Sequence, residues 1–264
     1  LGQRSLHMVT IVTLMAAVFA RTFLANESWS LDSAAYLYFF ESIKQITPID
    51  LLTDKLIFPY VFVNKLSPFE IGFVIISKTI SYAFNEASST YGAIAAISVG
   101  LRVHVMRKFG APWLWILLIN IYAITLFEAN ALRLGLASGL IVYSLYAIQN
   151  NRKFLALLVM AIAPLVHLQA AIFVAPLLLA WVIIKKSHES KTRTVFVFAT
   201  MGISALVFIS LMRYIDNQKF VEYLDRGQSG SAGVTVTSTL GAMFVVVAAY
   251  FSATAKRESA YRDV

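Results

Sequence analysis

Long apolar runs are the feature that most constrains how this chain folds. Hydrophobic residues make up 59% of its 264 residues and charged residues only 14%, more apolar surface than one soluble core can bury. A membrane-crossing helix needs about 20 mostly apolar residues. We therefore predict an all-α fold, a polytopic membrane helical bundle with about eight transmembrane helices. The predicted spans are roughly 8–25, 88–106, 112–129, 132–149, 154–166, 168–184, 194–213 and 236–255.

The basic residues predict how the bundle is oriented. The net charge is +8, and its main clusters lie in short loops between the spans. Basic loops of this kind mark the cytoplasmic side of a membrane protein, so the charge indicates membrane orientation and not a nucleic-acid partner. We predict a single transmembrane domain over 1–264 and, since the chain begins at Leu1, missing N-terminal residues. The clusters are Arg107-Lys108, Arg152-Lys153, Lys185-Lys186 and Lys256-Arg257.

Two segments are predicted to lie on the opposite, outer face. Residues 26–87 are mixed polar and aromatic, which is typical of a loop with interfacial helices at the headgroup level. Within it, 69–84 carries Lys78 in mid-segment. A full crossing there would move every later basic cluster outside, so we interpret it as an interfacial or re-entrant helix. Residues 214–235 form the second outer loop.

Arg133 and His167 interrupt long apolar stretches and are the strongest candidates for a functional site. A charged or titratable group at such depth is costly and generally functional. Residues 154–184 hold two crossings in about 31 residues, although two full spans need roughly 40. The apex near His167 is therefore expected to lie below the outer surface. The neighbouring pair of spans turns close to Arg133, which predicts one polar site shared by both turns.

The order and spacing of several short motifs resemble the EpsG-like, Wzy-type exopolysaccharide polymerases. In that family Arg-Gln-x-x-Ala is followed one hairpin later by His-x-Ser-Ala. Here the first motif matches from Arg133 to Ala137, with Leu134 in place of glutamine, and the second matches from His167, with Gln169 in place of serine. The upstream pieces also agree: Arg21, then Asp32-Ser-Ala-Ala-Tyr36, then Glu70-Ile-Gly-Phe73. The resemblance covers roughly residues 8–184.

The resemblance implies a membrane glycosyltransferase. It would transfer a growing glycan from undecaprenyl pyrophosphate onto a lipid-linked repeat unit, at the outer face of the bacterial inner membrane. The expected partners are the undecaprenyl-pyrophosphate-linked oligosaccharide, membrane lipid, and a chain-length regulator or other export-assembly proteins. No nucleic acid, cofactor or metal is expected, because the donor supplies its own leaving group and arginines can supply positive charge.

Each of the two central residues has a functional and a structural interpretation. Arg133 suits a clamp on the donor pyrophosphate, since its planar fork binds phosphate oxygens and stays charged. It also suits a structural ion pair with Glu128, or an interfacial anchor. His167 suits a catalytic base for the acceptor hydroxyl, because imidazole gains and loses protons near neutral pH. It equally suits a hydrogen-bonded packing residue.

Three upstream residues are further candidates. Asp32 is a competing base, with Tyr36 one helical turn later on the same face, where its ring suits a sugar. Asp32 also suits a helix N-cap. Glu70 has the same ambiguity, since it stands before an apolar helix and either binds substrate or caps that helix.

The remaining candidates are assigned to substrate binding. Arg21 suits a second phosphate or an interfacial anchor, and Asn130 opens the Arg133 motif. Arg213 and Arg226 suit further phosphate contacts. By contrast, Arg102 and His104 are expected near the cytoplasmic face, contacting lipid headgroups.

Two other functions compete with the polymerase interpretation. A flippase or transporter for lipid-linked oligosaccharides would also place charges inside the membrane, but it predicts polar groups through both halves. A membrane O-acyltransferase would use His167 with a cytoplasmic acyl donor. For the polymerase we predict inversion at the anomeric carbon, because no residue is evidently placed to form a covalent glycosyl intermediate.

Overall fold

The computed structural model describes residues 3–21, 31–45, 60–63, 67–125 and 131–167, together with 170, 171 and 174. This part of the chain is helical apart from one short hairpin. Its helices are α1 (Gln3–Phe19), α2 (Leu31–Gln45), α3 (Ile71–Ser81), α4 (Ala87–Lys108), α5 (Trp113–Ala123), α6 (Leu132–Gln149) and α7 (Lys153–Val166). Strands β1 (Tyr60–Val63) and β2 (Ser67–Glu70) pair antiparallel, with Tyr60 opposite Glu70.

The all-helical class is therefore confirmed for these residues, and the hairpin is an addition that the sequence did not predict. Helix α6 matches its predicted span of 132–149, and α4 and α7 match theirs to within two residues. By length and composition, α6 is the one described helix apolar and long enough to cross a membrane. The predicted spans 194–213 and 236–255 lie outside the described residues, as does nearly all of 168–184, so the count of eight stays a prediction.

The surface of the described helices is apolar while their interior contains polar groups. Arg21, Glu70, Arg102 and Asn120 are all buried. Large apolar side chains are exposed along α1, α5 and α7. Apolar patches of this extent mark a surface that meets lipid or another protein. They are Met8, Ile11, Val12, Met15, Val18 and Phe19 on α1, Trp113, Leu114, Trp115, Leu118, Ile121 and Tyr122 on α5, and Phe154, Leu157, Leu158 and Leu165 on α7.

Helix α6 packs between α4 and α7. It crosses α4 closely at Gly139, where an added Cβ would lie 3.0 Å from the Ser98 carbonyl oxygen. Small residues permit such close helix contacts in membrane bundles. Beyond the crossing, α4 and α6 end in matching turns, with Gly110 (φ 74°) and Asn151 (φ 57°) in the left-handed conformation that commonly closes a helix.

These turns carry two of the predicted basic clusters. Arg107 and Lys108 lie in the last turn of α4, and Arg152 and Lys153 lie where α6 passes into α7. Since α6 has 18 residues, its first turn lies roughly 27 Å away, at the opposite end of the helix. The basic turns therefore lie at one end of α6 and Arg133 lies at the other end, as the charge pattern predicts.

Lys78 joins α3 to α2. Its Nζ donates to the carbonyl oxygens of Ile43 (2.8 Å) and Lys44 (3.0 Å), which belong to the last turn of α2. The final carbonyls of a helix have no partner within the helix, and a cation there also interacts favourably with the helix dipole. Lys78, which was one reason to predict that 69–84 does not fully cross the membrane, therefore holds α2 and α3 together.

Helix α3 also approaches α7 unusually closely, at Gly72. A Cβ added to Gly72 would lie 2.7 Å from both the carbonyl carbon and the carbonyl oxygen of Leu165. Only a residue without a side chain fits against the backbone at that distance. This contact lies two residues from both Glu70 and His167, so it sets the spacing between the segments that carry them.

We expect Gly72→Ala to destabilise the protein by about 1–3 kcal/mol, the usual cost of forcing an extra methyl group into a packed contact. The measurement is thermal unfolding of the detergent-purified protein, with Gly100→Ala as the control. At Gly100 an added Cβ would meet only the Leu14 side chain, at 3.7 Å, which is an ordinary contact. Equal midpoints for the two variants would contradict the proposed close packing at Gly72.

Candidate functional site

A single carboxylate, that of Glu70, brings Arg133 and His167 together. Glu70 Oε2 lies 2.6 Å from Arg133 Nη1, and Glu70 Oε1 lies 2.9 Å from His167 Nδ1. The Glu70 side chain is only 4% exposed, and those of Arg133 and His167 are 15% and 13% exposed. The three residues come from separate elements: Glu70 ends β2, Arg133 lies in the first turn of α6, and His167 directly follows α7.

The local structure explains why these side chains meet. Glu70 occupies the N-cap position of α3, but its side chain makes no capping hydrogen bond. Pro164 lies in the last turn of α7, and the backbone becomes extended at His167 (φ −155°, ψ 117°). The helix continues past Pro164 to Val166, and the His167 N–H still donates to the Ala163 carbonyl oxygen at 3.0 Å. The chain leaves the helix at His167, where the imidazole lies alongside Glu70.

The electrostatics of the triplet favour an ionised Glu70. Burial alone would raise the pKa of this carboxyl group, but the charge of Arg133 and the interaction with His167, including its hydrogen bond, outweigh burial and hold the pKa well below its usual range. An ionised carboxylate only accepts hydrogen bonds. His167 Nδ1 must therefore donate to Glu70, which leaves the lone pair of neutral imidazole on Nε2.

Tyr36 forms the second layer of the site. Its hydroxyl oxygen accepts hydrogen bonds from the backbone N–H of Arg133 (3.2 Å) and from Arg133 Nε (3.4 Å). Tyr91 fixes Tyr36 from the other side, by donating its hydroxyl to the Tyr36 carbonyl oxygen at 2.8 Å. Tyr36 and Tyr91 are each 1% exposed, so α2, α4 and α6 are held together around one phenol.

Arg21 adds a second guanidinium to this layer. Its central carbon lies 4.7 Å from the Tyr36 ring centroid and 5.5 Å from that of Tyr91. Cations within about 6 Å of an aromatic ring are attracted by its electrons. Arg21 is 4% exposed, so it packs inside the cluster and is not a solvent-facing anchor.

The structure thus gathers five of the predicted site residues, and it places the others as follows. Asp32 lies in the first turn of α2, four residues before Tyr36. Its side chain lies outside the described part, as do Asn130, Arg213 and Arg226. Glu128, the alternative partner of Arg133, also lies outside it. The gathered residues are Arg21, Tyr36, Glu70, Arg133 and His167.

Two residues were misjudged or missed by sequence reasoning. Arg102 was expected near the cytoplasmic face, contacting headgroups, and this expectation is wrong: it is fully buried and bonded to neighbouring helices. The available signal was Ser98, which lies one turn earlier on the same helix face. Tyr91 was not singled out, because an isolated tyrosine at a helix start has no distinguishing pattern. His104 is exposed, with its ring against Tyr146.

A family model matches almost the whole chain, over residues 7–263, and it describes the EpsG family. Comparisons with curated proteins and with solved structures give no match. The family is one of exopolysaccharide-related membrane polymerases, which agrees with the apolar surface of the helices and with the resemblance carried by Arg133 and His167. A match of this extent settles membership: the chain belongs to the EpsG family.

Proposed function

We propose that this protein is a polysaccharide polymerase that transfers a growing glycan from undecaprenyl pyrophosphate onto a lipid-linked repeat unit, at the outer face of the bacterial inner membrane. The observation that carries the proposal is the Glu70 carboxylate shared by Arg133 and His167. This geometry supplies an oriented base and a cationic group within one small cluster. A glycosyl transfer to a sugar hydroxyl needs both.

His167 serves as the base in this mechanism. With Nδ1 donating to Glu70, Nε2 accepts the proton of the acceptor hydroxyl as its oxygen attacks the anomeric carbon of the donor. Glu70 then stabilises the imidazolium that forms, which is the usual role of a carboxylate behind a catalytic histidine. His167 is proposed as the base because Glu70 orients it; the side chain of Asp32, the other candidate, lies outside the described residues.

Arg133 serves the departing group, and the buried Arg21 adds positive charge to the cluster from behind Tyr36. As the new glycosidic bond forms, the bond between the anomeric carbon and the pyrophosphate oxygen breaks, and its electron pair leaves with the lipid pyrophosphate. Guanidinium groups stabilise such developing charge. The attack occurs on the face opposite the leaving group, so the proposed reaction inverts the anomeric carbon and needs no metal.

The direct test is His167→Ala in a host strain that lacks its own copy of the protein. We expect loss of polymer on gels and accumulation of single-repeat lipid-linked intermediates, detected by mass spectrometry, with protein in the membrane at the normal level. His104→Ala is the matched control, because that histidine is exposed and lies near the basic end of α4. Normal polymer from His167→Ala would refute the mechanism. Loss of extracytoplasmic repeat units, with intermediates trapped inside, would indicate a flippase instead.

A further inference from the structure

A fully buried arginine, Arg102, connects three helices, α4, α5 and α6, through its hydrogen bonds. Its Nη1 donates to Ser98 Oγ (3.0 Å) on α4, and to the Gly135 carbonyl oxygen (3.2 Å) and Ser138 Oγ (3.4 Å) on α6. Its Nε donates to Asn120 Oδ1 (3.4 Å) on α5. All five residues except Gly135 are among the buried polar residues, at 0–1% exposed.

The Arg102 network is costly to build inside an apolar bundle. A guanidinium stays charged in proteins, and removing it from water is expensive unless hydrogen bonds replace the lost solvent. The hydroxyl, carbonyl and amide oxygens named above supply that replacement from three directions. A planar group with five donors can satisfy such a set, whereas an ammonium group with three donors on one nitrogen cannot reach all of it.

The network acts on the turn of α6 that begins the site. Gly135 follows Arg133 by two residues, and its carbonyl oxygen accepts from Arg102 and from Ser138 Oγ (2.7 Å). The backbone N–H of Arg133 itself donates to Tyr36. A shift of α6 along α4 would therefore break the contact with Arg102 and the contact with Tyr36 together.

Helix α4 contributes both residues that fix this geometry, Tyr91 and Arg102. Tyr91 holds the Tyr36 carbonyl oxygen, and Arg102 holds the Gly135 carbonyl oxygen. The two residues are 11 positions apart, which is about three helical turns, so they lie on the same face of α4. The arginine side chain extends toward the start of its helix, as helical side chains do. One helix thus positions both the phenol and the arginine of the site.

We propose that Arg102 is a positioning residue, which fixes the start of α6 against α4 so that Arg133 meets Tyr36 and Glu70. The inference rests on the proposed function for its activity readout. Small displacements of catalytic groups reduce rates steeply, with about 100-fold lost per ångström of misplacement. Arg102→Met should therefore reduce polymer per membrane-inserted molecule by about 100-fold, and Arg102→Lys should restore part of it.

A second readout measures helix position without any enzymatic activity. The chain contains no cysteine, so a His104→Cys, Tyr146→Cys pair can be joined selectively by a short bifunctional thiol reagent across α4 and α6. The two rings are 5.8 Å apart at their centroids. We expect Arg102→Met to slow this cross-linking several-fold in intact membranes. Ser144→Ala is the control, because it removes a buried α6 hydroxyl that, among the described residues, bonds locally to Ile141.

The outcomes separate the alternatives. Normal polymer per inserted molecule in Arg102→Met would overturn the inference, as would reduced polymer with an unchanged cross-linking rate. Polymer that falls only in proportion to protein level would mean that Arg102 serves stability alone, and would also overturn it. If His167→Ala makes normal polymer, the proposed function fails. The cross-linking rates would still test whether Arg102 fixes the position of α6 against α4.

Discussion

Replacing Glu70 with glutamine is expected to reduce polymer formation by about 100- to 10 000-fold, the usual share of general acid–base catalysis. Glutamine keeps the size of the side chain but loses its charge. Its amide N–H₂ can donate to His167 Nδ1, which would place the imidazole proton on Nε2, where a base needs its lone pair. The same change removes the ionic partner of Arg133. The measurement is polymer per membrane-inserted molecule.

Glu41→Gln provides the matched control, because that carboxylate is 74% exposed and pairs with Lys44 on the surface of α2. Equal activity of Glu70→Gln and Glu41→Gln would contradict the role given to Glu70.

The pH response follows from the same carboxylate. Because the pKa of Glu70 is lowered in the folded protein, its stabilising contribution is complete above the ordinary carboxyl pKa of about 4.3 and is lost as the pH falls through the lowered value. Protonation of Glu70 should therefore cause no loss of stability between about pH 5 and 8. The measurement is the difference in thermal midpoint between His167→Ala and the double variant His167→Ala, Glu70→Gln, which should stay flat across that range because the contact between Glu70 and the imidazole is absent from both.

Replacing Arg133 with alanine is expected to reduce polymer formation by about 1000-fold, comparable to removing a principal group that stabilises transition-state charge. The protein should still reach the membrane. Arg133→Lys should recover a minor part, since lysine keeps a point charge but cannot bond to Tyr36 and Glu70 through separate nitrogens. Single-repeat lipid-linked intermediates should accumulate in both variants.

Arg152→Ala is the control for this series, because Arg152 is exposed in the turn between α6 and α7. Full-length polymer from Arg133→Ala would exclude this residue from the site. A deficit explained by lower membrane insertion would assign it to folding instead.

Hydrophobic patterning was sufficient to place α4, α6 and α7 to within two residues, whereas α1 begins at Gln3, five residues before its predicted start. Helix α6 was located to the residue because a long apolar run stands between two turns, and its single arginine lies at one end. The β1–β2 hairpin was not predicted, because each strand is only four residues long and Pro68 lies within one of them. Strands this short have little periodicity to detect.

The site was predicted in outline and not in its connections. A charged residue in an apolar run signals function whatever its partners are, so Arg133 and His167 were evident. Glu70 was ambiguous, since an acidic residue before a helix suits a cap equally well. The structure pairs Glu70 with residues 63 and 97 positions away, and no local pattern encodes such a contact. Arg102 was misplaced because its side chain extends a full turn away from its own backbone.

The shared carboxylate also links two events that a catalytic cycle would otherwise keep separate. Under the proposed function, an incoming phosphate and Glu70 compete for the same guanidinium, while Glu70 also orients the imidazole. Binding of the lipid donor is thereby coupled to the orientation of the His167 imidazole through the Glu70 side chain. Productive turnover then requires the phosphate to share Arg133 with Glu70, because complete displacement would leave the imidazole unguided at the moment of attack.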